Sequence, residues 1–499
     1  MPGVSISTAV RTGPVNTGLA PASTFFLVGE TERGTDSVAV AISSISEYVS
    51  YFGGYEALKY TYQQARTFFE EGGSSLYVSR ASASTVNGGA VATKALAANP
   101  SSAAGITLTA VGRGAWGNSI QVAVVNNGDI SFDISIYYGG STADKLIATI
   151  PNNASLADAI AAINANTAIT KYCTASLTAT AVSTAKLASA AAAVFTSGAD
   201  GTIAESDFIA ALGDFTEELG AGCVAIPGLA DGTTDATLYD AIKAHCAANN
   251  RIGILSFANG ITPSAAAGAS TAYGASSNTN HEFLAMYYPW VNIPSGSGTT
   301  LTIPPEAYVA AARSKMHNRI GSWQPFAGAK SESQFVTGIA TAVNRADGQT
   351  LDDSRVNAIR VINDSVRIYG ARSHSLNTTQ WRFITHRDTM NYIVDRCQEA
   401  LEPLVFSTIN GRKTIYADIA SALKGVMEPI RISGGLFEGF DNAGRQTDYG
   451  YTIKVDDSIN PIGQLESGLV KAQLGVRISS VGDKIEVTLT KSNLTATLV

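Results

Sequence analysis

Residues 222–226 and 251–257 are short apolar runs, and residues 236–249 between them are patterned as a helix. Two strands joined through a helix cannot close as a tight hairpin. The crossover lays them side by side in one direction, so this stretch reads as a βαβ unit with parallel pairing. The beginning of the chain repeats the alternation. Thr24–Gly29 is a buried-looking strand, followed by a polar turn; Ile42, Ile45, Tyr48 and Val49 then share one helical face that ends at Phe52-Gly53-Gly54. A longer helix is expected over residues 56–71, with Leu58, Tyr62, Ala65 and Phe69 at three- and four-residue spacing and a stop at Gly72-Gly73. Residues 75–80 read as a strand. Strand, helix and strand in this order mark an α/β core.

Six segments follow from the patterning. Residues 1–22 read as an arm, in which Val4 and Ile6 alternate with Ser5 and Ser7 before Gly13-Pro14 breaks the chain. Residues 23–80 are the first part of the α/β core. From 81 to 201 the texture turns to Ala, Thr, Ser and Gly, with β-rich runs at 106–111, 119–126 and 130–138 and a helix over 152–165 that Ser155 is placed to cap. This reads as an inserted, mostly β outer domain. Residues 202–362 return to α/β, with a strand expected at 282–291 and a helix opened by Pro304-Pro305, where a missing N–H costs little. Residues 363–483 read as an α+β domain with helices at 388–401 and 414–428, a turn at Gly434-Gly435, and strands at 451–455 and 473–479. In residues 484–499, Ile485, Val487 and Leu489 alternate with Glu486, Thr488 and Thr490, which gives a second arm with one apolar face. The fold class is α/β and α+β multidomain, with extended terminal arms.

Composition narrows the function. At 499 residues and about 150 residues per domain, three or four domains are expected. Charged residues make up 15% of the chain, against roughly 25% in ordinary globular proteins. The mean hydropathy is +0.10, yet no run reaches the roughly 18 apolar residues a membrane span needs, and the start lacks a basic-then-apolar leader pattern. A soluble chain with so few charges must hide surface, and other subunits are the natural place. The net charge of −7 and the absence of a Lys/Arg cluster speak against nucleic acid as the main partner. Cys173, Cys223, Cys246 and Cys397 have no paired spacing, so they read as small buried hydrophobes, with oxidation across subunits as the alternative and a metal site as the least favoured.

Motifs for chemistry do not hold. Gly112, Gly114 and Gly117 match a dinucleotide fingerprint by spacing, but strand-like SIQVAVV follows where a helix must begin. No GxSxG elbow occurs, and His245, His281, His317, His374 and His386 lie in unrelated contexts, read as surface or interface positions. No catalytic residue, cofactor or metal is expected.

Residues 366–387 read VRIYGARSHSLNTTQWRFITHR. A strand turns at Gly370, crosses a polar loop, and enters a second apolar run (Trp381, Phe383, Ile384) flanked by Arg382 and Arg387. The passage resembles one in contractile tail sheath proteins of bacteriophages, where a Gly-Ala-Arg-(Thr/Ser) turn precedes a Trp-Arg-(Tyr/Phe)-Ile strand and an arginine-bearing helix. Gly370, Arg372, Trp381, Arg382 and Arg387 are the matching positions. Pro2-Gly3-Val4, Phe52-Gly53-Gly54, Gly72-Gly73 before Tyr77-Val78-Ser79-Arg80, Trp116-Gly117-Asn118, Tyr288-Pro289-Trp290, and Pro304-Pro305 before Val309-Ala310-Ala311 fit the family in the same order. The family's Trp-Lys-Ala-Pro stretch is replaced by Trp323-Gln324-Pro325-Phe326, and its next arginine is approximated by Arg313 or Arg319.

The resemblance implies a central domain of subtilisin-like fold and an inner C-terminal domain. It implies copies stacked in six-membered rings as a helical sleeve around a tail tube, located in a virion tail and assembled in the host cytoplasm. Arm strands carrying Val4, Ile6, Ile485, Val487 and Leu489 would join a neighbour's sheet, and contraction would drive the tube through the host envelope without a cofactor. The implied partners are further copies, the tube protein, and the baseplate and tail terminator proteins, with no nucleic acid and no membrane insertion. Helix 414–428 is the expected tube contact: Lys424 and Glu428 flank its apolar face (Ile415, Ile419, Leu423, Met427), with Arg431 just beyond. Other readings are the sheath of a headless phage-like injection particle, a surface-layer or coat protein, and a serine hydrolase.

Overall fold

The computed structural model describes residues 23–55, 60–99, 103–128, 130–179, 181–228, 236–276, 279–295 and 298–483. Leu58 and the arm positions Val4, Ile6, Ile485, Val487 and Leu489 lie outside the described residues. The described chain divides into a large unit, residues 23–322 and 326–395, and a small unit, residues 323–325 and 396–483. The large unit begins with β1 (Thr24–Gly29), β2 (Val40–Ile42), α1 (Ile45–Phe52), α2 (Thr61–Glu70) and β3 (Leu76–Arg80). Then come β4 (Val91–Asn99), β5 (Ala104–Arg113), β6 (Ile120–Asn127), β7 (Ser131–Tyr138), β8 (Leu146–Asn153), α3 (Leu156–Ala165), β9 (Cys173–Leu177), β10 (Lys186–Leu187) and β11 (Ala190–Val194). The α/β alternation resumes with α4 (Glu205–Leu212), β12 (Gly222–Ala225), α5 (Ala236–Ala248), β13 (Arg251–Ser256), α6 (Pro263–Ser276) and β14 (Leu284–Tyr288). It closes with β15 (Val291–Pro294), β16 (Thr300–Ile303), α7 (Glu306–Arg319), β17 (Gly338–Ile339), α8 (Arg345–Asp353), β18 (Val356–Ile362), β19 (Ser365–Tyr369) and α9 (Ile384–Leu401).

An eight-stranded sheet in the order β19-β18-β14-β13-β12-β1-β3-β2 organises this unit. Its six inner strands are parallel and its two edge strands antiparallel. The expected βαβ unit is present: Cys223 pairs with Ile252 across α5. All six residues of β1 are buried, because helices cover both faces, as parallel sheets require. Phe25 and Leu27 pack with Tyr48, Phe52 and Phe68 of α1 and α2 and with the alanines of α7. Phe26 and Val28 pack oppositely, with Phe208, Leu212, Ile242 and Tyr273.

Between β3 and β12 the chain builds two four-stranded sheets, β10-β4-β5-β9 and β11-β6-β7-β8. Strict alternation puts Ile120, Val122 and Val124 of β6, and Phe132, Ile134 and Ile136 of β7, into one core with Leu156 and Ile163 of α3. Ser155 caps α3, accepting from Asp158 N at 3.2 Å. The glycine-rich GRGAWG leads into a 3-10 turn, Ala115–Ser119, that links the two sheets. A Cβ at Gly117 would stand 2.7 Å from Ala92 Cβ, so packing explains this glycine.

Three expectations need correction. Trp381 to Ile384 is no strand: only an isolated Arg372–Phe383 bridge forms, and α9 starts at Ile384, since Ile384, Asp388 and Asn391 at helical spacing bury one face. The strand expected at 282–291 is two, β14 and β15, separated at Pro289, which cannot donate to a ladder. Ile42 belongs to β2 rather than to a helix, and Val49 is 38% exposed. Tyr48 and Phe52 form the buried face of α1 instead.

The small unit takes the end of α9 from Arg396 and adds α10 (Thr414–Ile432), β20 (Gly439–Phe440), β21 (Gln446–Asp448), β22 (Tyr451–Lys454), α11 (Ile462–Glu466) and β23 (Gln473–Val476). Ile415, Ile419 and Leu423 of α10 pack against Leu401, Ile453 and Leu465. The strands expected at 451–455 and 473–479 appear as the antiparallel pair β22–β23.

The large unit's most demanding contact is an ion pair. Arg313 on α7 forks Asp388 on α9 at 2.8 and 2.6 Å, with side chains 0% and 2% exposed, and His317 Nε2 stands 3.1 Å from the same carboxylate. Burial pushes the Asp388 carboxyl up, but Arg313 and His317 outweigh it and hold it at about 2. Arg313→Met strands a buried carboxylate and should cost about 3–5 kcal/mol in urea denaturation at neutral pH. The double variant Arg313→Met/Asp388→Leu should recover most of that loss; no recovery would mean that Arg313 acts by shape and not by charge.

Candidate functional site

Gly370 ends β19 against Asn357 of β18, where a Cβ would stand 2.7 Å from Asn357 Oδ1. That close approach lets Asn357 grip the next turn. Its Oδ1 accepts from Arg372 N at 2.6 Å, and its Nδ2 donates to Arg372 O at 2.9 Å and Met286 O at 3.1 Å. Arg372 forks Asp352 of α8 at 2.7 and 2.6 Å. Ser373 N donates to Arg382 O and Ile384 N to Ala371 O, both at 3.0 Å, closing residues 371–384 into a loop. Arg387 lies over Trp381 at 4.9 Å and Phe283 at 4.5 Å, and donates to Asn391 Oδ1 at 2.9 Å. Arg382 lies over Phe383 at 5.4 Å. The five motif positions thus surround one loop that joins the sheet edge to α9. The sequence reading missed its partners Asn357 and Asp352, and it missed Asp388, the partner of Arg313; an Asp on the apolar face of a helix is the signal that could have exposed the last.

In the small unit, Lys424 is exposed on α10. Glu428 and Arg431 are not similarly available. Arg431 binds Glu428 and Glu438, both at 2.8 Å, and Tyr451 donates to Glu428. Those bonds from Arg431 and then Tyr451 hold the Glu428 carboxyl below its usual range. The predicted apolar face of α10 is turned into the unit's own core. Large apolar side chains are exposed elsewhere in this unit: Phe406, Ile432, Phe437, Phe440 and Ile462.

Doubly wound sheets hold ligands outside the carboxyl ends of the strands, where the strand order reverses. Here that point lies between β1 and β12, and the protein's own side chains pack tightly against it. A Cβ at Gly29 would stand 2.2 Å from Thr61 Oγ1, and one at Gly228 2.4 Å from the Tyr60 ring. Tyr60 in turn meets Trp290 edge-on at 5.3 Å.

Three of the five histidines are not surface groups, and His245 and His386 are half-buried. His281, His317 and His374 are buried, and His281 and His374 face each other at 2.7 Å. Ser270 lies 3.0 Å from His374 Nε2, but its hydroxyl is fully buried and donates to Ser354 O, and the other nitrogen of His374 meets a histidine in place of an orienting acid. Cys173, Cys223 and Cys246 are buried, Cys397 half-buried, and all four are free. Among the described residues no three His, Cys, Asp or Glu side chains converge as a metal site would need, and no helix is long and apolar enough to cross a membrane.

Solved structures share this architecture. The chain matches the anti-feeding prophage helical sheath in its contracted state over 99% of each chain, at 17% identity and a TM-score of 0.55. The fold is that of the contractile sheath proteins. A sheath tail protein of Listeria innocua matches at 13% identity and a TM-score of 0.60, over 87% of this chain and 89% of its own. One from Desulfitobacterium hafniense matches at 14% and 0.53, over 90% and 93%. No protein-family model and no curated protein matches the sequence. Within this sheath fold the motif loop joins two parts of a mixed α/β chain.

One buried group sets a pH response. Glu306, at the start of α7, accepts from Ser256. Burial lifts its carboxyl from 4.5 to about 7, against the lowering effect of that hydrogen bond. A carboxyl with a raised folded pKa stabilises the fold fully below its unfolded value and loses that contribution as pH rises through about 7. Glu306→Gln should therefore change little near pH 4 and gain up to about 3 kcal/mol near pH 8. Urea denaturation at the two pH values checks this; equal shifts at both would remove charge as the cause.

Proposed function

We propose that the chain is the structural subunit of a contractile sheath, polymerising as a helical sleeve of six-membered rings around a tube and driving that tube through an envelope by contraction. The supporting observation is the match over 99% of both chains to a contracted helical sheath. Work is stored in the extended lattice and released by rigid-body repacking between copies, so the subunit needs no nucleotide. On this reading, residues 81–201 form an outer domain and 202–362 complete the subtilisin-like core begun by 23–80. Since β19 and the chain to residue 395 belong to the large unit, it is residues 396–483 of the expected 363–483 domain that face the tube.

The arms, residues 1–22 and 484–499, join a neighbour's sheet. What supports this is that, among the described residues, β22 and β23 form a two-stranded sheet, an arrangement of marginal stability by itself, with Ile453 on one side of it packed into the core. An added strand would satisfy its open edge. Deleting residues 484–499, or residues 1–20, should leave a soluble, cooperatively folded subunit that makes no sleeves by electron microscopy. Normal sleeves, or a melting temperature lowered along with aggregation, would overturn the linked-arm reading.

For the tube contact, Lys424 carries the proposal, since Glu428 and Arg431 serve their own unit. Lys424→Glu should weaken tube-templated assembly most at low salt and progressively less as salt rises, while the melting temperature stays constant. Assembly unchanged at low salt would exclude this face of α10. A second reading, the sheath of an extracellular injection particle, draws support from the match to a contracted sheath complex of such a system over 98% of this chain. Imaging the intact particle for a genome-filled head separates the two.

A further inference from the structure

The paired histidines have a proton arrangement that geometry alone determines. His374 Nε2 faces the Ser270 carbonyl at 3.1 Å, so this nitrogen carries a hydrogen and donates. In the neutral ring Nδ1 of His374 is then bare. It lies 2.7 Å from His281 Nδ1, which must therefore be the donor. That leaves His281 Nε2 bare, facing the Lys243 ammonium at 3.4 Å. Lys243 is paired with Asp240 at 2.7 Å, and Tyr273, which also binds Asp240 at 2.9 Å, stacks on the His374 ring and meets the His281 ring at a tilt. Arg355 reaches the same region from the turn before β18, next to Gly274 and the His374 ring. Each imidazole thus has one open nitrogen, and each open nitrogen already meets a hydrogen. A proton on His374 would set two N–H groups head to head across 2.7 Å; one on His281 would face Lys243 and Arg355.

The pair also joins three elements. Ser270 is on α6, His281 opens the turn into β14, and His374 lies in the motif loop, its backbone N–H donating to Leu284 O at 2.8 Å. The loop's other fastenings are the Asn357 hydrogen bonds and the Arg372–Asp352 pair. We propose that the His281–His374 pair is an acid-labile latch that fastens loop 371–384 to the α/β core while both rings are neutral and releases it when either becomes an imidazolium. Burial first, then neighbouring positive charge, holds His281 at about 4 and His374 at about 3. The unfolded chain takes up these protons below about pH 6.5, so the stability the pair supplies is complete above that pH and is lost as pH falls toward 4. Since residues 371–384 lead directly into α9, the latch makes this junction sensitive to acid.

Hydrogen–deuterium exchange on the full chain tests the latch, with protection corrected for the intrinsic pH dependence of exchange. Between about pH 7 and about pH 4.5, the amides of Ser373, His374 and Ile384 should lose protection at least ten-fold relative to β13. Protection that stays constant would overturn the proposal. In His374→Asn an amide oxygen replaces the bare Nδ1 and takes no proton; in His281→Asn an amide N–H replaces the donor. Either variant should flatten the pH dependence, and an undiminished loss in both would mean that another group opens the loop. Where neither variant folds, C2–H exchange of His281 and His374 in the wild-type chain decides: their titration must coincide with loop opening, and separate midpoints would refute the latch.

Discussion

Arg313 and Asp388 lie 75 residues apart in sequence and meet where water does not reach. Desolvating two such charges costs several kcal/mol per ion, recovered only in good geometry, so α7 and α9 have one acceptable register and little freedom around it. Other buried charges act similarly. Glu71, at the end of α2, accepts from the backbone of Gln334, Phe335 and Val336 at 3.0, 2.8 and 2.9 Å. Arg251, over the Phe26 ring, donates to the carbonyls of Phe215, Thr216 and Gly220. A chain with 15% charged residues spends several of them inside, where each fixes a loop or helix to the sheet. Exposed pairs could not do this, because solvent weakens them to about 1 kcal/mol or less.

The same principle attaches residues 91–194 to the sheet. Asp36, in the turn after β1, accepts from Arg80 at 2.5 Å and from the backbone of Arg113 at 2.6 Å. Arg33 donates to the last carbonyls of α1 while lying over Tyr172 at 4.5 Å and Tyr138 at 5.4 Å. Lys171 reaches Ser50 at 2.9 Å. Arg33, Asp36 and Ser50 thus bind residues 113, 138, 171 and 172 through hydrogen bonds, an ion pair and cation–π contacts. A Gly/Ser linker in place of residues 81–200 would remove the Arg113 amide from Asp36 and the Tyr138 and Tyr172 rings from Arg33, so a loss of stability there need not mean a loss of lattice contacts.

Local chemistry was legible in the sequence wherever one element carried the whole signal. Ser155 capped α3, the runs around residues 223 and 252 paired in parallel, and the apolar face of α10 was Ile415, Ile419, Leu423 and Met427, all buried. Reading failed where tertiary partners decide. Trp381 and Phe383 look like strand residues, yet the turn made by Asn357 and Arg372 leaves no ladder for them, and helix α9 captures Ile384. His281 and His374 are 93 residues apart, a pairing no local pattern reveals. Arg431 read as a tube contact, whereas it is tied to Glu428 one turn back and to Glu438 beyond the helix end.

Exposed apolar groups in the small unit give the composition its physical meaning. Phe406 is 94% exposed and holds a left-handed φ of 65°, a conformation that costs a bulky residue on the order of 1–3 kcal/mol. Among the described residues the ring is left open to water, and its hydration adds to that cost. On the sheath reading it is offset between copies, since large permanent interfaces are as apolar as a core. The large unit carries an aromatic core and gives its buried charges partners inside, an opposite charge at Asp388 and backbone carbonyls at Arg251. On the sheath reading, rigid interior pinning with apolar exterior contacts is what repacking without unfolding requires: the subunit would stay fixed while its contacts exchange.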